Sequence, residues 1–348
     1  MSGPAPRPRG GFAGVRFGQS QDRRERTGVT VVLFPRGATG AVEVRGGAAG
    51  TYHTDSLGPL STFGRLDALF FAGGSLHGLD AGQGVREGLE RKGWGRRFFP
   101  GGPPLVSVSG AVLFDLRSRA SLQVDYASLA RRAVLRATPQ PLAEGSVGAG
   151  TGATVGKFGG LGRACAGGIG WAEGSAGPRA GLLAMAAVNA LGNVHAPEGG
   201  GVIAGARGPR GTFLPAPEAL GLAHRRVLPR GTTLGLVLTD LPLSRRELAR
   251  LAVAGHDGIA RAVHPAHTAT DGDVVFAVST GRAALEGPWP GPGRSPYPGA
   301  GGDLLSALAA ERMAVAIGRA VTRARSRPGT PSGPDWSSAR GPGGRPAP

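Results

Sequence analysis

Apolar residues come in short, dense runs along this chain, and most runs are strand-sized. Residues 30–35 (TVVLFP) and 40–47 (GAVEVRGG) read as two strands joined by a turn at RGATG, residues 36–40. Residues 67–75 (DALFFAGGS) read as a buried strand ending in a glycine pair and Ser75, followed by a helix from Leu79 that closes at Gly93. Residues 111–116, 181–194 and 233–240 are further apolar strands. The period then changes. Between residues 243 and 265, Leu248, Leu251, Ala252, Ile259 and Val263 recur at helical spacing, and Ser244 with Glu247 three residues on forms a capping-box start. Residues 271–281 read as a loop feeding a strand, 287–302 as a Pro/Gly surface loop, and 303–324 as a closing helix. This alternation predicts an α/β layered domain over residues 28–322, with functional side chains at strand ends. No internal repeat is visible.

Composition changes the picture mainly at the termini. The chain has 348 residues, 64 of them Gly and 29 Pro, and the segments 1–27 and 323–348 have the Pro/Gly/Arg-rich composition of disordered tails. A net charge of +17 points first to nucleic acid. However, Lys92 and Lys157 are the only lysines among 40 basic residues, and Arg in excess alongside Ala, Gly and Pro fits GC-rich coding better than selection for phosphate. Neither nucleic acid nor a membrane is therefore expected as partner. No apolar run reaches the roughly 18–20 residues of a span, and MSGPAPRPRGGFAG lacks a secretory apolar core, so a soluble cytoplasmic protein is expected. A single cysteine, Cys165, in small-residue surroundings excludes an internal disulfide and a cysteine-built metal site.

Candidate chemistry lies in four places. The run VGAGTGATVGKFGG (147–160) fails the Walker spacing and carries no dinucleotide fingerprint, so its glycines read as tight packing or turns. Its Lys157 stands out, because a lone lysine among arginines suggests a role that a permanently charged guanidinium cannot fill; a solvated loop lysine is the plain alternative. Asn189, an amide inside an apolar strand, must have a hydrogen-bonding partner, either backbone or an oxyanion formed in acyl transfer. Asp271 and Asp273 flank Gly272 where a strand begins, as a solvated turn or as a carboxylate pair able to hold a proton. The seven histidines show no zincin spacing; His256 reads as structural or exposed, and His264 and His267 as loop residues. Finally, LPRGTTLGLVLTD (228–240) sets two threonines behind an Arg-Gly pair at the mouth of a strand.

Taken in order, VRGGAAGTYHTD, AGGSLHGLDAGQGV, VGAGTGATVGK, AVNALGNV, IAGARG, GTTLGLVLTD and HDGIARAVHPAHTATDGDVVFAVSTG resemble a family of self-processing N-terminal-nucleophile hydrolases, peptidase family S58. It includes the L-aminopeptidase/D-esterase, the β-peptidyl aminopeptidases and the nylon-oligomer hydrolase, and the similarity runs from about Val29 to Ala320. The resemblance implies an αββα layered sandwich cut between Gly231 and Thr232 into subunits 1–231 and 232–348, assembled as a homo-oligomer of that processed pair. It implies that Thr232 is the nucleophile and its freed α-amine the base, a known way of activating a weak hydroxyl. Asp271 and Asp273 match the acidic pair of the nylon-hydrolase branch, Lys157 its catalytic lysine, and Asn189 the residue that binds the oxyanion or aids self-cleavage. Thr233 stays structural. Gly231 follows the aminopeptidase branch, where the nylon-hydrolase branch tends to Asn; the catalytic tyrosine of the aminopeptidase branch has no match, although Phe114 lies nearby in order.

The expected activity is hydrolysis of an amide or peptide bond in a small peptide or amino-acid amide, through an acyl-threonine, with no metal and no organic cofactor. Two rivals remain open from sequence: an acyltransferase of the ornithine acetyltransferase type using the same threonine, and a non-catalytic basic binding module.

Overall fold

The computed structural model describes residues 12, 14–116, 120–140, 142–177, 180–218, 230–282 and 300–338. Nine strands form one sheet: β1 (Arg16–Asp22), β2 (Thr27–Val44), β3 (Thr51–Tyr52), β4 (Arg65–Ala72), β5 (Val108–Val112), β6 (Gly168–Gly177), β7 (Ala180–Asn189), β8 (Thr232–Thr239) and β9 (Val274–Ser279). Their order is β3-β5-β4-β2-β9-β8-β7-β6, with β1 antiparallel to β2. The helices are α1 (Ala81–Arg91), α2 (Tyr126–Leu135), α3 (Arg245–Ala262), α4 (Ala300–Thr322) and α5 (Gly333–Ser338).

Strand alternation turns this one sheet into the middle of a sandwich, because successive side chains point to opposite faces. Val29, Val31, Leu33, Phe70 and Ala72 pack outward against α1 and α2 through Val85, Leu89, Leu129 and Val134. Their neighbours Val32, Phe34, Leu69 and Phe71 point inward and meet Met185, Leu234, Leu236, Leu238, Phe276 and Val278 from the other half of the sheet. The opposite faces of that half, Leu182, Ala184, Val237 and Val275, cover α3 and α4 through Leu251, Ile259, Met313 and Ile317. Helix, sheet, sheet and helix therefore stack in four layers with three apolar cores, the αββα arrangement. β2 is long enough to pair with β4 in one half and β9 in the other.

Several sequence readings change here. RGATG is not a hairpin turn: β2 runs straight through it, and the register against β4 slips between Leu33 and Ala38. The four residues Phe34–Gly37 bulge where β4 offers one, with Gly37 at φ +74°. The segment assigned to an N-terminal tail contributes β1, whose Phe17 is buried in the inner core and whose backbone pairs with Thr138. At the other end, residues 323–338 fold back: Arg327 Nη2 donates to the Ala153 carbonyl (2.9 Å), and Trp336 Nε1 in α5 donates to the Thr212 carbonyl (2.8 Å). A tryptophan and an arginine with buried partners outweigh a disorder-like composition. The run 181–194 ends as a strand at Asn189, since Ala190–Gly192 turn away before a short strand at Asn193–His195. Most of the 287–302 loop, and Leu228 and Pro229, lie outside the described residues. No helix among the described residues is long and apolar enough to cross a membrane.

Candidate active site

Five of the residues singled out from sequence meet at the start of β8. Thr232 opens that strand between β7 and β9, opposite Asn189 in the β7 register, and it is buried. Its hydroxyl donates to the carbonyl of Gly231. That same carbonyl accepts a second hydrogen bond, from the Gly272 backbone N–H at 3.0 Å. The peptide bond ahead of Thr232 thus has its oxygen held from outside and a hydroxyl lying against it, in the uncut chain.

Two glycines make this approach possible. A Cβ on Gly231 would lie 2.1 Å from Asp271 Oδ1 and 2.4 Å from the Leu191 nitrogen. A Cβ on Gly272 would lie 2.8 Å from Thr232 Oγ1 and 2.9 Å from the Ala48 carbonyl oxygen. Separations under about 3 Å are closer than van der Waals contact allows, so neither position accepts a side chain without displacing the site. This answers the choice at position 231 physically: the room an asparagine would need is filled by the Asp271 carboxylate.

The segment Asp271–Gly272–Asp273 lies alongside Gly231–Thr232–Thr233. It precedes β9 rather than belonging to it, and its carboxylates go to different partners. Asp271 Oδ1 accepts from the Leu191 N–H (3.3 Å), while Oδ2 accepts from the Thr268 hydroxyl (2.7 Å) and N–H (3.2 Å). Asp273 Oδ1 accepts from the Thr233 N–H (2.6 Å), and Oδ2 takes the His267 N–H (3.0 Å) and Nδ1 (2.8 Å). Both are buried. Burial first, and the Asp273 charge second, push the Asp271 carboxyl above its ordinary value.

Lys157 is fully buried, so the solvated-loop alternative does not hold. Gly156, at φ +72°, turns the chain into it, and its Nζ donates to the Asn189 carbonyl at 2.7 Å. Asn189 finds backbone partners: Oδ1 accepts from the Thr154 N–H (2.9 Å), and Nδ2 donates to the Phe114 carbonyl (2.9 Å). Phe114 reaches the site through that carbonyl, not through a hydroxyl. The other glycines of 147–160 serve packing: a Cβ on Gly150 or Gly152 would meet backbone at 2.4 or 2.0 Å.

His267, Thr268 and Gly272 belong to this site and were not assigned to it from sequence. His267 sits at φ +56°, a conformation costly for a non-glycine residue, with its ring edge-on to His256 at 4.8 Å. Burial works against charge on His267, but the Asp273 hydrogen bond and negative charge outweigh it and hold the imidazole above its ordinary value. His256 is wholly buried, its Nε2 against the Glu43 carbonyl at 2.9 Å, and burial pulls it down to about 4. The usable signal was HTATDGD itself: a histidine and threonine close before two buried aspartates. Cys165 is buried away from this cluster, and burial raises its thiol.

The model of Peptidase family S58 matches residues 12–332. An uncharacterized aminopeptidase of Mycobacterium bovis is 39% identical over 273 residues, covering 74% of each chain. A 6-aminohexanoate-oligomer endohydrolase of a Kocuria species is 31% identical over 284 residues, 77% of this chain and 74% of that one. Among solved structures, the L-aminopeptidase D-Ala-esterase/amidase from Ochrobactrum anthropi, described as a variant of the Ntn hydrolase fold, superposes with a TM-score of 0.64 at 20% identity, covering 91% of this chain and 87% of that one.

Proposed function

The chain belongs to peptidase family S58, as an enzyme that hydrolyses amide bonds, and on that premise we propose that it cuts itself before Thr232 and works through the threonine so released. The observation that carries this reading is the Gly231 carbonyl, held by the Gly272 N–H with the Thr232 hydroxyl against it. In the first step Thr232 Oγ1 bonds to the Gly231 carbonyl carbon, the carbon–nitrogen bond breaks, and the hydroxyl proton ends on the departing Thr232 nitrogen. The Gly272 N–H steadies the oxyanion formed on the way. Water then opens the ester, leaving a Gly231 carboxylate and a free Thr232 amine.

Turnover reuses the same atoms. The α-amine, with an ordinary pKa of about 7.7–8.0, takes the hydroxyl proton as Oγ1 attacks the substrate carbonyl, and hands it to the leaving amine. Water resolves the acyl-threonine. Asp273 fixes the strand behind the nucleophile through the Thr233 N–H, and Asp271 lines the cut side. Lys157 aims a buried Nζ donor at the carbonyl of Asn189, the strand partner of Thr232, and so polarises the backbone beside the nucleophile. Substrates are small peptides or amino-acid amides, a reading supported by the aminopeptidase and 6-aminohexanoate-oligomer hydrolase relatives. The active unit is a homo-oligomer of processed pairs.

Intact mass spectrometry of purified protein tests this directly. Wild type is expected as two pieces, 1–231 and 232–348, and Thr232→Ala as one chain lacking activity on amino-acid p-nitroanilides, β-peptides and 6-aminohexanoate oligomers. A wild type that stays uncut, with activity that Thr232→Ala fully retains, would falsify the mechanism.

A further inference from the structure

At the other end of β8 and β9 lies a cleft of about 740 Å³ whose wall carries Arg36, Arg65, Arg96 and Arg245 and no carboxylate among the described residues. A second cavity of about 460 Å³ adjoins it, sharing Arg36, Gly37 and Thr280 and adding Arg282. The cleft is built rather than incidental. The β2 bulge throws Arg36 to its mouth, exposed and with no hydrogen bond or ion pair among the described residues. Gly37 and Gly64, both at positive φ, leave the space that two guanidinium side chains occupy: a Cβ on Gly37 would lie 2.2 Å from Arg65 Nη1, and one on Gly64 2.6 Å from Arg245 Cδ.

The guanidinium groups are held in place. Arg65 is fixed by Asp67 at 2.7 Å, and Arg245 by the carbonyls of Gly58 (3.0 Å), Pro59 (2.8 Å) and Ser61. Arg96 lies over Phe98, which stacks on Phe63 in the cleft wall. The carboxylates adjoining the lining in sequence are engaged: Asp67 by Arg65, Asp240 by the Gly181 N–H (2.8 Å), and Glu247 by the Ser244 N–H (2.8 Å) and hydroxyl (2.6 Å) at the start of α3. The Thr280 hydroxyl, shared by both cavities, is buried with no partner among the described residues.

We propose that this cleft binds a small oligophosphate, through forked guanidinium contacts from Arg36 and Arg96 with Arg65 and Arg245 behind them. Planar guanidinium groups match phosphate oxygens two at a time, and a concave site concentrates their field. A hydroxyl donor at Thr280 completes the set. The site is separate from Thr232, seven strand residues or ~23 Å away.

Calorimetric titration of purified protein with pyrophosphate tests the site, at about 0.15 M ionic strength so that distant charges are screened. Wild type and Thr232→Ala are expected to bind alike. The double variant Arg36→Ser/Arg96→Ser is expected to weaken binding about tenfold or more. As a control for bulk charge, Arg23→Ser/Arg24→Ser, on the exposed β1–β2 turn, is expected to stay within about twofold of wild type. All four positions are exposed, so circular dichroism should match throughout. ATP in place of pyrophosphate reports whether the Phe63 wall adds affinity beyond phosphate. No heat and no rise in melting temperature with pyrophosphate, or equal loss in both double variants, overturns the proposal.

Discussion

The β8–β9 pair ends in two unlike places. At the Thr232 end, polar groups are buried and mostly hydrogen-bonded to one another or to backbone, and glycines let backbone and side chain approach more closely than a Cβ would allow. At the Thr239–Ser279 end, the polar groups are long arginines around an open cleft, drawn from β2, β4, the loop at Arg96 and the start of α3. The first end has chemistry because nothing in it can move; the second has room because its charges outnumber their partners. Buried, fully partnered groups are costly to disturb, whereas exposed charges change stability little. Variants at the Thr232 end should therefore have steep effects.

The steepest is expected from one methyl group. Gly272→Ala sets a Cβ 2.8 Å from Thr232 Oγ1, pushing the hydroxyl off the Gly231 carbonyl, so the chain should accumulate uncut on a denaturing gel. Complete processing at the wild-type rate would show that the tight fit at this end is packing without chemical consequence. Asp273→Asn comes next. It keeps an acceptor for the Thr233 N–H but loses the charge that His267 meets at 2.8 Å. Activity on an amide substrate should fall about 10²–10³-fold, and urea unfolding should show about 1.5–3 kcal/mol of lost stability.

The same contrast explains what could be read from sequence. Strand and helix positions followed from apolar spacing, and Thr232, Lys157, Asn189 and the two aspartates stood out because each is an odd residue type in its surroundings. Their common location is now visible: Thr232 and Asn189 are strand partners, Lys157 bonds to Asn189, and Asp271 pairs with Gly231. His267 was not legible as part of the site, since only the turn at positive φ brings its Nδ1 to Asp273. β1 and α5 were hidden by tail-like composition. The arginine cleft was hidden more thoroughly, because Arg36 sits in RGATG, which reads as a turn, and codon bias accounts for any arginine in this chain taken singly. Only tertiary structure brings residues 36, 65, 96 and 245 to one wall.

Within the Thr232 end, two histidines in edge-on contact should leave opposite marks on stability. His256 has its folded value lowered to about 4 by burial, from 6.5. A lowered value favours the neutral form in the fold, so its contribution is present above about pH 6.5 and is lost as pH falls toward 4. Asp271, raised by burial and by Asp273, acts in the opposite sense at acid pH, so the comparison must be with a variant that keeps it. Against His256→Gln, wild type should lose on the order of 3 kcal/mol more across that window in urea titrations. Parallel curves would mean that the His256 ring does not stay neutral in the fold.

His267 gives the smallest effect and the most informative one. Burial alone would lower its value, but Asp273 overrides that and the net shift is upward. The sign therefore reverses: its contribution is fully present below about pH 6.5 and fades as pH rises through the folded value. The melting-temperature gap between wild type and His267→Gln should be widest near pH 6 and shrink as pH rises through the raised folded value. Activity should share that dependence, because losing the imidazolium leaves Asp273 with an uncompensated charge beside the Thr233 N–H. A gap that stays constant over this range would mean that the 2.8 Å contact is a neutral hydrogen bond. The Thr232 end would then hold its carboxylates without a titrating partner, while the arginine end alone carries excess charge.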